Sequence, residues 1–299
     1  MPKFLHSQWI FSIVLSMLLY GLPFSARADG HVDVVQKVPG GTINWTQGVV
    51  EAMGLQAPVG KTSEEVSDPE QALTDALAAA REHLLQAVFS VRMESLRTVG
   101  DLAQEDEVVG AEIRKMVMQA PLIKQEFLSD GTVRATLALN LQGGFSQLVM
   151  PEDIRQIDAI LAVSEEPKKT SETGPATADT ADETVFTGLL VDARGLEIRP
   201  AMVFRIMDEN GQEIYGPAFV SREFAVQKSM ARFVTDPEAA QRRPQVLLHP
   251  LLVKGLRKTG PASTDIVISD ADAARLQESS EHIAFLRKCQ VLIVMDPLP

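Results

Sequence analysis

Four charged residues stand close together in the segment VDARGLEIRPA, and they are the best candidates in the chain for binding chemistry. They are Asp192, Arg194, Glu197 and Arg199. Arginines beside a glycine-containing turn can hold a carboxylate or a sugar acid through two parallel N–H donors. Opposite charges at this spacing also pair with one another in a solvated or structural network, which is the commoner outcome. We name Asp192, Arg194 and Arg199 as the candidate ligand or partner site, with the charge network as the alternative.

Residues for catalysis or metal binding form no recognisable set. The stretch GLQAPVGKT, 54–62, has five residues between its first glycine and Gly-Lys-Thr, and Pro58 removes an amide donor, so it does not fit a phosphate-binding loop. The segment Gly144–Leu148 lacks the second glycine of a serine nucleophile elbow and is predicted to be a loop. Cys289 opens an apolar run, which favours core packing over reactivity. The sequence predicts a noncatalytic protein with no cofactor and no metal.

The first residues have the layout of an export signal. Lys3 lies in a short polar start, an apolar run follows from Trp9 to Leu19, and Ala26-Arg27-Ala28 is a small-x-small cleavage site. The apolar run is shorter than the ~20 residues that a membrane-spanning helix needs. We therefore predict an exported protein of the periplasm or outer envelope surface, cleaved after Ala28, with no transmembrane segment in the mature chain.

Charge excludes some partners and suggests a division of the chain. The formal net charge of -12 disfavours nucleic acid, because DNA and RNA need a basic surface. From Val185 onward there are 14 basic and 14 acidic residues, so the negative charge lies in the N-terminal half and in the segment that follows it. That segment, 163–184, is rich in Pro, Thr, Ser, Ala and acid, which is typical of a flexible linker. The predicted organisation is a signal peptide at 1–28, modules at 29–162 and 185–299, and this linker between them.

The N-terminal module has helix and hairpin signals. Asp68-Pro69-Glu70 precedes a long helical period, and a second helix is predicted to begin near Asp106. After Pro121 the pattern changes to alternation on both sides of a Ser-Asp-Gly turn, which predicts a hairpin over 122–141. A further strand is predicted around Ile43 to Val50. The fold class expected is α+β, with helices packed on an antiparallel sheet.

The C-terminal module is predicted to be a mixed α/β domain. Strands are expected over Val185 to Val191 and Met202 to Met207, and helices after Asp236 and after Ser269. The run CQVLIVM, 289–295, is continuously apolar, as buried strands are. We expect this run to be the central strand of a sheet.

The order GTINWTQGVVEAMG, an Ala-rich helix, VVGAEIRKMVMQAP and FLSDGTVRATLAL, spanning about 41–141, resembles a known family. It looks like the small bacterial surface lipoproteins of the LPP type, whose domain is similar to the N-terminal domain of the flagellar assembly protein FlgT. The resemblance implies a noncatalytic envelope module that works in assembly or interaction, with flagellar structures as one context. This chain departs from the lipoprotein pattern because it lacks the lipid-accepting cysteine.

Two functions remain open on the sequence. The first is an exported envelope protein that binds other envelope or flagellar proteins in assembling a surface structure. The second is a periplasmic protein that binds, or acts on, a small anionic ligand near Asp192, Arg194 and Arg199.

Overall fold

An antiparallel sheet forms the first part of the fold. The computed structural model describes residues 33–57, 69–154, 186–236, 238 and 249–299, all within one unit, Val32–Pro299. The sheet has the strand order β1-β2-β3-β5-β4. Its strands are β1 (Val35–Val38), β2 (Gly41–Asn44), β3 (Val49–Gln56), β4 (Leu122–Phe127) and β5 (Val133–Asn140).

The hairpin predicted over 122–141 is confirmed, whereas the single strand predicted around 43–50 is wrong. The chain turns between Asn44 and Val49, and Gly48 adopts a φ of 73°. The Asn44 side chain accepts a hydrogen bond from the backbone N–H of Gln47 at 2.9 Å, which stabilises the turn. Because the residues on both sides of this turn are apolar, the sequence pattern predicted one continuous strand and did not indicate the turn.

Three helices accompany this sheet: α1 (Pro69–Phe89), α2 (Val99–Glu105) and α3 (Glu107–Met118). The buried face of α1 is mostly alanine, so the helix backbone lies close to β3 and β5. At Gly54 of β3 an added Cβ would lie 2.0 Å from the carbonyl oxygen of Ala76. The predicted start of α3 is confirmed, because the Asp106 side chain accepts hydrogen bonds from the first-turn N–H groups. The predicted cap Asp68 lies outside the described residues.

The segment 144–149, predicted to be a loop, is a short helix, α4 (Gly144–Val149). Phe145 and Val149 are buried on it, and the Ser146 hydroxyl donates a hydrogen bond to the carbonyl of Leu141 at 2.5 Å. These contacts with the core stabilise a helix that has no side-chain cap at its N-terminus.

The second part of the fold has a parallel sheet and a mixed sheet, as expected for a mixed α/β region. The parallel sheet has the order β10-β6-β13-β9, and the mixed sheet has the order β11-β12-β7-β8. The strands are β6 (Gly188–Asp192), β7 (Ile206–Met207), β8 (Glu213–Tyr215), β9 (Arg232–Val234), β10 (Pro250–Lys254), β11 (Arg257–Thr259), β12 (Asp265–Val267) and β13 (Val291–Val294). The helices are α5 (Arg222–Lys228), α6 (Asp270–Gln277) and α7 (Ser280–Arg287).

Strand β13 lies between β6 and β9 with all four residues buried, so the central strand is confirmed. The start of α6 is confirmed too, because Ser269 caps it by accepting a hydrogen bond from the N–H of Asp272. The strand expected over 202–207 is limited to Ile206–Met207. Most of the helix expected after Asp236 falls outside the described residues.

The two parts share one hydrophobic core. The buried hydroxyl of Thr46 donates a hydrogen bond to the carbonyl of Phe233 at 2.7 Å, and the ring of Trp45 meets that of Phe233 edge-on. The Arg222 guanidinium donates to three carbonyls at the end of α4. The parts are therefore joined by direct packing, while the predicted linker 163–184 lies outside the described residues.

Among the described residues, no helix has both the length and the apolar character required to cross a bilayer.

Candidate functional site

The loop that follows β6 carries the charged residues that the sequence singles out. Arg194 donates to both carboxylate oxygens of Asp192, with Nε 2.8 Å from Oδ1 and Nη2 2.6 Å from Oδ2. These hydrogen bonds lower the pKa of Asp192 and raise the pKa of Arg194. The guanidinium of Arg194 is thus already engaged by an acid two residues away, which agrees with the charge-network alternative.

The other acids around this loop also have partners. The Glu197 carboxylate lies 3.2 Å from Nζ of Lys258. Asp296, which follows β13 closely, accepts a hydrogen bond from the N–H of Gly195 at 2.6 Å. These contacts fix the loop to β11 and to the chain after β13.

Arg199 lies in a cleft of about 810 Å³. Its backbone N–H donates to the carbonyl of Ser263 at 2.9 Å, and the next residue, Pro200, is buried. The cleft is lined by Gln36, Lys37, Arg92, Gly195, Glu197, Ile198, Arg199, Pro200, Lys258, Ser263 and 295–299. In the described part of the chain, the Arg199 guanidinium has no ion-pair partner and no hydrogen-bond acceptor.

A second arginine from the first part of the fold enters the same cleft. Arg92 follows α1, is half-buried, and donates from Nη1 to the carbonyl of Ser95 at 2.8 Å. Burial lowers the pKa of Arg92, and the positive charge of Arg199 lowers it further. Two guanidinium groups are therefore held close enough to repel each other, and an anion between them would relieve that repulsion.

The remaining walls combine charge with apolar surface. Lys37 of β1 is exposed at the cleft, and the neighbouring Gln36 accepts a hydrogen bond from the indole N–H of Trp45 at 2.9 Å. Pro297, Leu298 and Pro299 contribute apolar surface to the cleft, whereas Ile198 and Met295 are each only 2% exposed. The cleft lies just beyond the carboxyl ends of the parallel strands β6 and β13, where open sheets of this kind bind their ligands.

The chemistry available in the cleft is that of anion binding. The described residues that line it include neither histidine nor cysteine. Cys289 lies in the core, where burial raises its pKa to about 12, so its thiol is neutral. Within the described ranges, no three His, Cys, Asp or Glu side chains group as metal ligands.

The structure thus separates the three candidate residues. Asp192 and Arg194 bind each other, while Arg199 faces the cleft with Arg92. Sequence reasoning missed Arg92 and Lys37, because both are distant from 191–201 in the chain. The one available signal for Arg92 was a lone charge directly after the buried Val91 at the end of the long helix.

Comparison with known proteins gives a match for the second part of the fold. A family model described as the second domain of Treponema pallidum Tp0624 matches residues 188–297, just over a third of the chain. The matched region begins at the first residue of β6 and includes Arg199 and β13, whereas Lys37 and Arg92 lie outside it. This region is therefore similar to that domain. No curated protein matches the chain.

Proposed function

We propose that this chain is an exported, noncatalytic protein of the bacterial cell envelope that binds an acidic segment of a partner protein in the cleft. In this role it takes part in assembling a surface structure, with flagellar structures as one context. The partner is another envelope or flagellar protein, and nucleic acid is not among its ligands.

The observation that carries the proposal is the unpaired guanidinium of Arg199 beside that of Arg92. A guanidinium matches a carboxylate with two parallel N–H donors, and such charge-assisted bonds are among the stronger polar contacts in proteins. The adjoining apolar surface of Pro297 and Leu298 suits a peptide, which offers aliphatic groups between its acids. A free inorganic anion would leave that surface unused.

Export and the envelope context are supported by sequence. The signal layout over 1–28 supports secretion. The resemblance of about 41–141 to LPP-type lipoproteins and to the N-terminal domain of FlgT supports a role in assembly.

A second candidate function is the binding of a small anionic ligand, such as a sugar acid. The specific observation in its favour is the volume of about 810 Å³, which lies in the range of small-molecule pockets. In this case Arg199 and Arg92 are the binding residues, and Arg194 is excluded because Asp192 occupies its donors.

The test is a cross-linked pull-down from cells that produce the tagged chain. The tag belongs directly after the predicted cleavage site, because residues 297–299 line the cleft and a C-terminal tag would obstruct it. Arg199→Ala is the test variant and Arg194→Ala is the matched control, since both remove one exposed arginine from the same loop. We expect the wild type and Arg194→Ala to recover the same partner and Arg199→Ala to lose it.

Purified protein separates the two candidates. Loss of one charged hydrogen-bond donor costs about 1.5 to 3 kcal/mol, so Arg199→Ala should weaken binding by roughly ten- to a hundredfold. A thermal shift with a hexaglutamate peptide supports the partner-protein function, and a shift with glucuronate alone supports the small-ligand function. If neither probe shifts the melting temperature and Arg199→Ala recovers the wild-type partners, the cleft is not the binding site.

A further inference from the structure

Strand β4 is an exposed edge of the five-stranded sheet. In the order β1-β2-β3-β5-β4, and among the described residues, it pairs with β5 on one side only. Five of its six residues are exposed, including three apolar ones: Leu122 at 40%, Ile123 at 51% and Phe127 at 61%. An edge strand presents unpaired backbone N–H and C=O groups that can bind another strand.

The two faces of β4 differ in chemistry. Lys124 and Glu126 pair with Thr136 and Arg134, which lie on the face of the sheet opposite α1. Gln125 and Phe127 pair with Ala135 and Val133, which lie on the α1 face. One face of the edge is therefore charged, and the other is mainly apolar.

From this pattern we propose that β4 pairs with β4 of a second copy of the chain, antiparallel and centred on Gln125. Lys124 of one copy then lies opposite Glu126 of the other, and the same contact occurs twice by symmetry. Ile123, which has no partner on β5, takes the position opposite Phe127. The pairing extends the antiparallel sheet across two chains.

The charges of Lys124 and Glu126 favour the register centred on Gln125 over the two neighbouring registers. Residues that lie opposite each other must point to the same face of the sheet, so a symmetric pair is centred on one residue that lies opposite its own copy. The two neighbouring registers are therefore centred on Lys124 or on Glu126. A centre at Lys124 places two lysines opposite each other, and a centre at Glu126 places two glutamates opposite each other. Like charges in directly opposed positions destabilise a strand pair, whereas opposite charges stabilise it.

Two features of β4 also occur in edges that resist pairing: charged residues and a register irregularity between Leu122 and Lys124. Here the charges are self-complementary: Lys124 and Glu126 form an ion pair at 3.0 Å within one strand, Glu126 also pairs with Arg134, and in the dimer the Lys124 contact is exchanged for the same contact with the second copy. The irregularity lies before Lys124, at the start of the strand. A protected edge would not expose Ile123 and Phe127 beside its charges. The proposal is independent of the cleft, because no residue of β4 lines it.

Disulfide trapping tests the register directly. Gln125→Cys places two thiols opposite each other on the symmetry axis, where the Cα atoms of an antiparallel pair are about 4.5 to 5.5 Å apart, within disulfide reach. The native thiol of Cys289 is buried and does not compete. Gln104→Cys on α2 is the matched control, since Gln104 is also exposed. We expect rapid covalent dimerisation of the first variant only, and equal cross-linking of both variants would overturn the proposal.

Charge reversal in trans provides the second test. Lys124→Glu and Glu126→Lys should each weaken self-association, measured by sedimentation equilibrium, by about tenfold. A mixture of the two variants restores opposite charges at both contacts and should associate as tightly as the wild type. Thermal melts of each variant show whether its monomer is folded. A wild-type protein that stays monomeric into the millimolar range, or a mixture no tighter than the single variants, would refute the pairing.

Discussion

Gly54 is predicted to set the distance between α1 and the antiparallel sheet. A Cβ at this position would lie 2.0 Å from the carbonyl oxygen of Ala76 and 2.4 Å from the backbone nitrogen of Ala80. Both atoms belong to the helix backbone, so no side-chain rotation relieves the clash. In Gly54→Ala the helix must move outward by about 1 Å to reach ordinary van der Waals contact.

The loss of stability in Gly54→Ala follows from the packing contacts that this movement of the helix breaks. The buried face of α1 packs closely along the sheet, so a shift at one point reduces contacts along several turns. Overpacking costs typically 1–3 kcal/mol, and a clash with backbone belongs at the upper end, about 3 kcal/mol. For a chain of this size that corresponds to a fall in melting temperature of roughly 6–12 °C.

The assay is thermal and urea unfolding followed by circular dichroism, with Gly144→Ala as the matched control. At Gly144 an added Cβ would meet only the terminal methyl of Met116, at 3.8 Å, and alanine favours the helix α4. The control should be as stable as the wild type or more stable by up to about 1 kcal/mol. A Gly54→Ala protein that melts within a degree of the wild type would show that α1 does not depend on this close approach.

Two further predictions concern titration and burial. Because hydrogen bonds from Arg194 lower the pKa of Asp192 in the folded protein, the pair stabilises the fold above the unfolded pKa of about 4, and this contribution is lost as the pH falls through the lowered pKa. Asp192→Asn should therefore be less stable than the wild type in urea at neutral pH, and the difference should shrink in acid; a difference independent of pH would contradict this. Burial raises the pKa of Cys289 to about 12, so its thiol should resist iodoacetamide in the native protein and react only on unfolding. Labelling at the rate of a free thiol would contradict this.

The sequence predicted correctly those elements that are stabilised by nearby residues or that are apolar at every position. The run that contains β13 is apolar at every position, so it indicates a strand buried on both faces. Asp106 caps α3 by accepting hydrogen bonds from the first turn of that helix. An aspartate directly before a helical period is a signal that can be recognised in the sequence. The helix α4 escaped prediction because its stability comes from burial of Phe145 and Val149 against distant residues.

The candidate site was harder to predict from the sequence, because it too depends on residues that are distant in the chain. Whether Arg194 binds a ligand or its neighbour Asp192 depends on the side-chain geometry of the loop, and the charge pattern allows both. The cleft itself needs Arg92 and Lys37, which lie more than ninety residues before Arg199. Only the packing of the two parts of the fold brings these cations to the same place.

The central position of β13 also constrains how the fold forms. β6 and β9 are more than thirty residues apart in the chain, and β13 is the strand that lies between them in the sheet. The parallel sheet can therefore close only after residues 291–294 have reached it, which requires long loops to close first and slows folding. Until then one edge of β6 stays unpaired and β9 has no neighbouring strand among the described residues. Chains interrupted before Val291 are thus expected to accumulate as aggregation-prone intermediates.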